Sequence, residues 1–351
     1  MKYGFWLPIF GGWLRNVEDE NMPATYEYAK KVIQSGEKWG FHTTLIAELY
    51  LNDIKGPKRD SLEAWTTAAA LAAVTEKIEI MTAIRPGYHN PAIAAKMTAN
   101  IDQISQGRFT LNVVSAWWEE EARQYGGIFT EHDERYDRTE EFLEVLKGLW
   151  SAQNPFDHEG KFYQLENTNL YPKPVQSPNP VIYAGGESPR GKEAIAKHGD
   201  AYVMHGGTVE EIQKKIAGMK ELRKQFSTKP FQSFGMAGYV ICRDTEEEAQ
   251  EELKRITTLK ESSAYAGFKD FTTKSQLEQR IQLYDYSVSN RGLRPNLIGT
   301  PEVIAERILQ YEHAGLDLLL LQFSPQLEEM ENFSQKVMPL VEEKRQSMAA
   351  Q

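Results

Sequence analysis

Residues 78–114 read IEIMTAIRPGYHNPAIAAKMTANIDQISQGRFTLNVV, and the fold turns on this stretch. The apolar run Ile78–Ala83 predicts a strand, the periodic segment 91–105 a helix, and Phe109–Val114 a second strand. The rest of the chain repeats this alternation, with glycine or proline closing most units. Further strands are expected at Tyr3–Leu7, Thr43–Ala47, Pro180–Ala184, Ala201–Met204, Phe234–Ile241 and Leu316–Gln322. Helices are expected at about 24–39, 62–76, 132–151, 189–198, 208–225, 244–260 and 301–314, with one more near 326–346. Eight strand–helix units in 351 residues fit a (β/α)8 TIM barrel better than a doubly wound sheet, because an open sheet seldom needs eight repeats. A single barrel domain over 1–351 is therefore expected, with excursions at about 152–178 and 261–299. Both follow helices, so they start from the face opposite the one where barrels place their catalytic loops.

Composition narrows the function classes. With 41% hydrophobic and 26% charged residues the chain reads as globular, long enough for one large core. No run approaches the length of a membrane span, and MKYGFWLPIFGGW lacks the basic and small-residue signals of a secretory leader. A cytoplasmic protein is expected. The single cysteine, Cys242, cannot form an internal disulfide or a thiolate metal site. A net charge of −10 argues against nucleic-acid binding, which leaves small molecules and further copies of the chain as partners.

Candidate chemistry gathers where strands end. In LNVVSAWWEEE, 111–121, strand parity turns Asn112 toward the barrel mouth, either as a functional group or as a hydrogen-bonded core asparagine. Trp117 and Trp118 either plug a crevice or wall a pocket for something flat, and Glu119–Glu121 read as the acidic first turn of a short helix. In TEHDERYDRTEEF, 130–142, Arg135 and Tyr136 can hold a phosphate or carboxylate; the competing reading is a surface helix laced with ion pairs. YAGGESPRG, 183–191, runs a strand through Gly185 and Gly186 into Ser188 as N-cap and Pro189 as first helical residue. Such a terminus takes anions, with Arg190 adjacent, or is a plain βα turn. His89 is either a general base at the rim or a hydrogen-bonded loop residue. The seven histidines show no metal spacing, and no nucleophile elbow, Walker A loop or G-x-G-x-x-G is present. These polar residues outline a flat, phosphate-bearing ligand that does the hard chemistry itself.

Over almost its whole length the sequence resembles the bacterial luciferase-like, reduced-flavin-dependent monooxygenases. The likeness is carried, in order, by YGFWLPIFGGW, RPGYHNPAIAAKMTANIDQISQGRFTLNVVSAW, HDERYDRTEEFLEVLKGLW, GGESPRG, NLIGTPEVIAERILQYEHAGLDLLLLQF and LEEMENFSQKVMPL. It is greatest to the branch acting on dimethyl sulfone, with the alkanesulfonate and pyrimidine branches next. The resemblance implies a TIM barrel, FMN delivered as FMNH2 by a separate NAD(P)H-dependent flavin reductase, O2 as co-substrate, and a homodimer or homotetramer. For the substrate it implies a small organosulfur compound cleaved at a carbon–sulfur bond, most simply dimethyl sulfone to methanesulfinate. Position by position, it puts Asn112 near the flavin ring and oxygen, Glu48 and Leu49 along the isoalloxazine, and Glu121 in contact with flavin. Arg135, Tyr136 and Ser188 match the ribityl and phosphate end, Ser115 and Gly186 join the cofactor-binding set, and Arg294 matches a mobile-loop arginine that closes over substrate or flavin phosphate. Alkanesulfonate enzymes carry a cysteine after the second strand, Arg-x-His on the seventh and tyrosine after the eighth; here stand Ser61, Ala237 with Tyr239, and Phe323. The pocket so implied is walled by Trp6, Trp117, Tyr239 and Phe323 and suits a small neutral molecule.

Overall fold

Short apolar runs bounded by glycine, proline or polar residues form the strands, in a computed structural model that describes residues 1–115, 117–260, 263–265, 267–274, 276 and 281–349. They are β1 (Lys2–Trp6), β2 (Thr43–Ile46), β3 (Glu79–Ile84), β4 (Phe109–Val113), β5 (Phe156–Glu159), β6 (Gln164–Thr168), β7 (Ile182–Ala184), β8 (Ala201–Met204), β9 (Phe234–Cys242), β10 (Leu297–Gly299) and β11 (Leu318–Gln322). The helices are α1 (Tyr26–Lys38), α2 (Ala64–Ala72), α3 (Pro91–Ser105), α4 (Glu119–Tyr125), α5 (His132–Ser151), α6 (Pro189–His198), α7 (Val209–Lys224), α8 (Glu246–Thr257), α9 (Phe268–Lys274), α10 (Pro301–His313) and α11 (Gln326–Ala349). Eight strands pair in parallel in the order β1, β2, β3, β4, β7, β8, β9, β11, and β11 returns to β1. The sheet is a closed (β/α)8 barrel, matching the eight units read from the sequence.

Burial on both faces explains the unbroken apolar strands. In β11, Leu318 and Leu320 join Leu45, Met81, Tyr183 and Val203 in one cluster, while Leu319 and Leu321 pack with Phe5, Phe109 and Phe333 in the larger core. The same alternation sends Leu111 and Val113 of β4 into that larger core and Asn112 the other way, toward the barrel mouth. Helix starts are fixed by side-chain caps. Asn90 accepts from Ala92 and Ile93 N–H ahead of Pro91, Glu63 from Trp65 and Thr66, and Thr208 and Thr245 close capping boxes. These caps gather the βα loops at one end of the barrel.

Both excursions carry structure that periodicity did not reveal. Within 152–178, β5 and β6 form an antiparallel hairpin whose tip climbs beside α5. There the Glu141 carboxylate accepts from Phe162 and Tyr163 N–H, and Tyr163 Oη donates to Pro86 O at 3.2 Å. A segment starting from the far face thus reaches the catalytic-face loop after β3. In the second excursion, β10 pairs with Val240–Cys242, the part of β9 that runs beyond its partner β11. Part of that excursion lies outside the described residues. Among the described residues no helix is long and apolar enough to cross a membrane.

Candidate active site

The strand ends enclose a cavity of about 240 Å³. That is far more than an ordered water needs, roughly 10–15 Å³ on the same measure. Trp6, Phe10, Trp13, Leu49, Trp117 and Phe271 supply apolar walls, and Asn112, Ser115, Arg135, Tyr136, Gly186 and Ser188 line it from the β4, α5 and β7 side. Ten of the sequence-derived site residues, these six with Glu48, Leu49, Trp6 and Trp117, therefore meet around one cavity.

Its polar end is built at the start of α6. Ser188 caps the helix, its Oγ accepting from Gly191 N–H at 3.1 Å, and Pro189 fixes the first helical turn. The Tyr136 phenol is hydrogen-bonded with Ser188 and Ser115. Burial pushes this phenol up against the opposing effect of those two bonds, so Tyr136 stays a neutral donor. A Cβ added at Gly191 would lie 2.7 Å from Tyr136 Oη, and one at Gly186 3.1 Å. The two glycines are what allow the phenol to reach the helix terminus. Arg135 donates to Thr130 O at 2.6 Å and lies over the Phe129 ring. Arg190, adjacent in sequence, turns away to pair with Asp137 and Glu140. The Arg190 amide, two hydroxyls, a phenol and a guanidinium are donors that suit a phosphate monoester, and the aromatic walls suit a flat ring. Asn112 Oδ1, buried without a hydrogen-bond partner among the described residues, leaves one acceptor unsatisfied at the wall.

A buried ionic network lies behind the β2 and β3 ends. Glu48 accepts from Arg85 N–H at 2.8 Å and meets His89 Nε2 at 2.6 Å. The Arg85 guanidinium pairs with Glu121 and lies 4.1 Å from the Tyr88 ring centroid. Glu121, expected against the flavin, is instead fully buried and absent from the cavity lining. Its oxygens accept from Tyr50 N–H (2.5 Å), Leu51 N–H (3.3 Å) and Tyr88 Oη (3.2 Å), so it pins the loop that carries Glu48 and Leu49. Ser61 fixes the same loop by donating to Leu49 O at 3.1 Å. Glu119 and Glu120 are exposed, as a helix start predicts.

Three further expectations are corrected by packing. Tyr239 is 1% exposed and covered by the 289–292 turn: it donates its N–H to Gly292 O at 2.8 Å and does not reach the cavity. Phe323 packs against Phe41 and Phe333, between barrel and helices. Arg294 pairs with Glu211 at 2.5 Å, away from the cavity lining. Among the described residues of that excursion, Arg291 comes to the edge of the site: it pairs with cavity-lining Glu187 and donates to His205 Nδ1 at 2.8 Å. Trp118 is not on the wall but backs Trp117, rings stacked at 5.6 Å.

Arg85 and His205 were missed as site residues although each directly follows a strand, the position that points into a barrel mouth. Glu187 and Arg291 meet across 104 residues, which no local pattern signals. Burial alone would raise the Glu187 carboxyl, but His205, Arg291 and Lys215 outweigh it and hold it at about 2. For His205, burial disfavours the charged ring, Arg291 adds to that, and the imidazole falls to about 4. The unfolded chain therefore binds a proton at this ring in a range where the native state does not, and stability present above about pH 6.5 is lost as pH falls toward 4. His205→Asn should flatten that slope in urea midpoints measured from pH 7 to 4, leaving the part due to His198, which burial also pushes down to about 4. Among the described residues no group of three His, Cys, Asp or Glu is placed to hold a metal ion.

Residues 1–318 match the family described as luciferase-like monooxygenase. The chain is 35% identical to an FMNH(2)-dependent dimethylsulfone monooxygenase of Pseudomonas putida, over 100% of this chain and 98% of that protein. It is 34% identical to the protein of the same name in Pseudomonas fluorescens (strain Pf0-1), over 98% and 95%. Among solved structures, a long-chain alkane monooxygenase superposes with a TM-score of 0.82 at 20% identity, covering 98% of this chain and 91% of that one, and shares the fold.

Proposed function

The chain belongs to the luciferase-like monooxygenase family, and from that premise we propose that it is a reduced-FMN-dependent monooxygenase that cleaves a carbon–sulfur bond in dimethyl sulfone. One observation favours this substrate over an anionic sulfonate. Away from the α6 end, the guanidinium groups that line the cavity are already neutralised, Arg15 by Asp53 and Arg85 by Glu121 and Glu48, and so is Arg291 behind the wall, by Glu187. Ala237 leaves the β9 wall uncharged as well. Among the described residues a sulfonate there would meet guanidinium groups already paired, whereas a small neutral sulfone loses little on leaving water.

Bound reduced FMN would supply two electrons and the activation of O2. The protein's own part is holding and drying. Ser188, Tyr136, Arg135 and the Arg190 amide would hold the phosphate, and Leu49 and Ala47, which line the cavity, would border the ring. Asn112 Oδ1, buried without a partner among the described residues, would accept from a ring N–H and so orient the flavin edge. Trp6, Phe10, Trp117 and Phe271 exclude water from the reacting face.

The proposed reaction balances with dimethyl sulfone, O2 and FMNH2 giving methanesulfinate, formaldehyde, water and FMN. The test couples the protein to a generic flavin reductase with NADH and compares dimethyl sulfone, alkanesulfonates and pyrimidines. Equal formation of methanesulfinate and formaldehyde is expected, with kcat/KM for the sulfone at least about tenfold above any sulfonate, a difference of about 1.4 kcal/mol. Preferential sulfite release from alkanesulfonates, or pyrimidine ring opening, would overturn the substrate assignment.

A further inference from the structure

Glu48 and His89 form a pair that takes no part in the proposed phosphate cradle at α6. The Glu48 side chain is 1% exposed and borders the cavity, while the His89 side chain, 2.6 Å away through Nε2, is 14% exposed. Among the described residues nothing hydrogen-bonds the other imidazole nitrogen, so the ring bridges the cavity wall and solvent. Groups from each neighbouring element face this pair. From the segment after β3, the Arg85 N–H donates to Glu48 Oε2 and the Arg85 Nε lies 3.5 Å from it. On the far side of Arg85 stands Glu121 of α4. Tyr50 and Tyr88 add phenols that burial pushes up, so they remain neutral. At the start of α2, Glu63 is engaged in capping Trp65 and Thr66 N–H, and the Trp65 ring lies 5.8 Å from the imidazole.

Two buried carboxylates thus share one guanidinium. With a neutral imidazole the cluster of Glu48, Glu121, Arg85 and His89 carries one net negative charge, and a proton on His89 cancels it. Reduced flavin is itself an anion near neutral pH, so seating it against this wall draws a proton inward. Oxygen insertion consumes one: FMNH⁻ + O2 + RH + H⁺ gives FMN + ROH + H2O. One oxygen atom forms the new bond to carbon, the other leaves as water, and flavin loses two electrons to O2.

Resting on the flavin reading above, we infer that Glu48 and His89 are the proton inlet of the site, with His89 taking a proton from solvent and Glu48 presenting it at the cavity wall. Glu48 borders the reacting space, and His89 acts through it.

The test is anaerobic calorimetry of reduced FMN binding in phosphate and in Tris, whose different ionisation heats report protons taken up per flavin. Wild type is expected to take up a substantial fraction of one proton. His89→Gln, which can still donate to Glu48 but cannot carry a proton inward, should take up almost none while binding flavin within about fivefold, under about 1 kcal/mol. Its kcat should fall about a hundredfold, and imidazole should partly restore turnover in His89→Ala. Wild-type binding without proton uptake overturns the inference whatever the variants do. So does a His89→Gln protein with unchanged proton number, even if its flavin affinity drops. Failure of wild type to bind reduced FMN would instead remove the flavin reading on which the inference stands.

Discussion

Glu121→Ala is expected to destabilise the folded protein by about 3–5 kcal/mol, the range found when one partner of a buried ion pair is removed. Glu121 is fully buried and Arg85 is 2% exposed, so the guanidinium left behind cannot be rehydrated without opening the loop above it. The loss has two parts. Arg85 would keep only Glu48, whose Oε2 lies 3.5 Å from its Nε, and the N–H groups of Tyr50 and Leu51 would lose their acceptor. Each unsatisfied buried donor adds about 1–3 kcal/mol, partly shared with the charge term. Glu121→Gln separates these parts by keeping an acceptor for the amides while deleting the charge, and it should lie between wild type and Glu121→Ala. Replacing the pair together, Arg85→Met with Glu121→Gln, should recover part of the stability, because no buried guanidinium is left beside a deleted charge and the Tyr50 and Leu51 amides keep an acceptor. Urea unfolding followed by circular dichroism reads all four proteins. A Glu121→Ala protein within about 1 kcal/mol of wild type would mean that the pair is hydrated and does not hold the loop.

Those contacts also mark where sequence reading stops. The eight barrel strands were legible because most are apolar on both faces and give way to glycine, proline or a polar residue. The β5–β6 hairpin was not: FDHE and QLENT carry mostly exposed polar residues, and their fixing point, Glu141, lies in α5. In the site, Asn112 followed from strand parity and Ser188 from its cap. Glu121 did not, because an acidic first turn predicts a solvated carboxylate, and only the loop carrying Tyr50, 71 residues away, reveals what it binds. Tyr239 was placed on the pocket wall by the match of Ala237 and Tyr239 to an Arg-x-His pair, which holds only while nothing packs over the strand end, and the 289–292 turn does. Long-range burial decided each of these cases.

The phosphate cradle yields the other large effect, and it can be read without turnover. Reduced riboflavin, which lacks the phosphate, should bind at least about a hundredfold more weakly than reduced FMN. Two or three charge-assisted hydrogen bonds at about 1.5–3 kcal/mol each require a gap of that size. Tyr136→Phe should cost FMN about tenfold or more and riboflavin almost nothing, since it deletes one donor to the phosphate. Gly191→Ala should do more. Its new Cβ would sit 2.7 Å from Tyr136 Oη and 2.8 Å from Cζ, so the phenol ring must leave the α6 terminus. Ser188 and Ser115 would then lose their bonds to the phenol, and the cavity end would be occupied by a displaced ring. FMN affinity in Gly191→Ala should fall to near that of riboflavin, with riboflavin itself unchanged. The two ligands differ only in the phosphate, so their ratio isolates this end of the cavity from the ring-binding end. If Gly191→Ala weakened both equally, the glycine would be shaping the ring pocket instead, and the phosphate would have to be held elsewhere. A collapsed ratio with intact riboflavin binding is the outcome that the approach of Tyr136 to the α6 terminus requires.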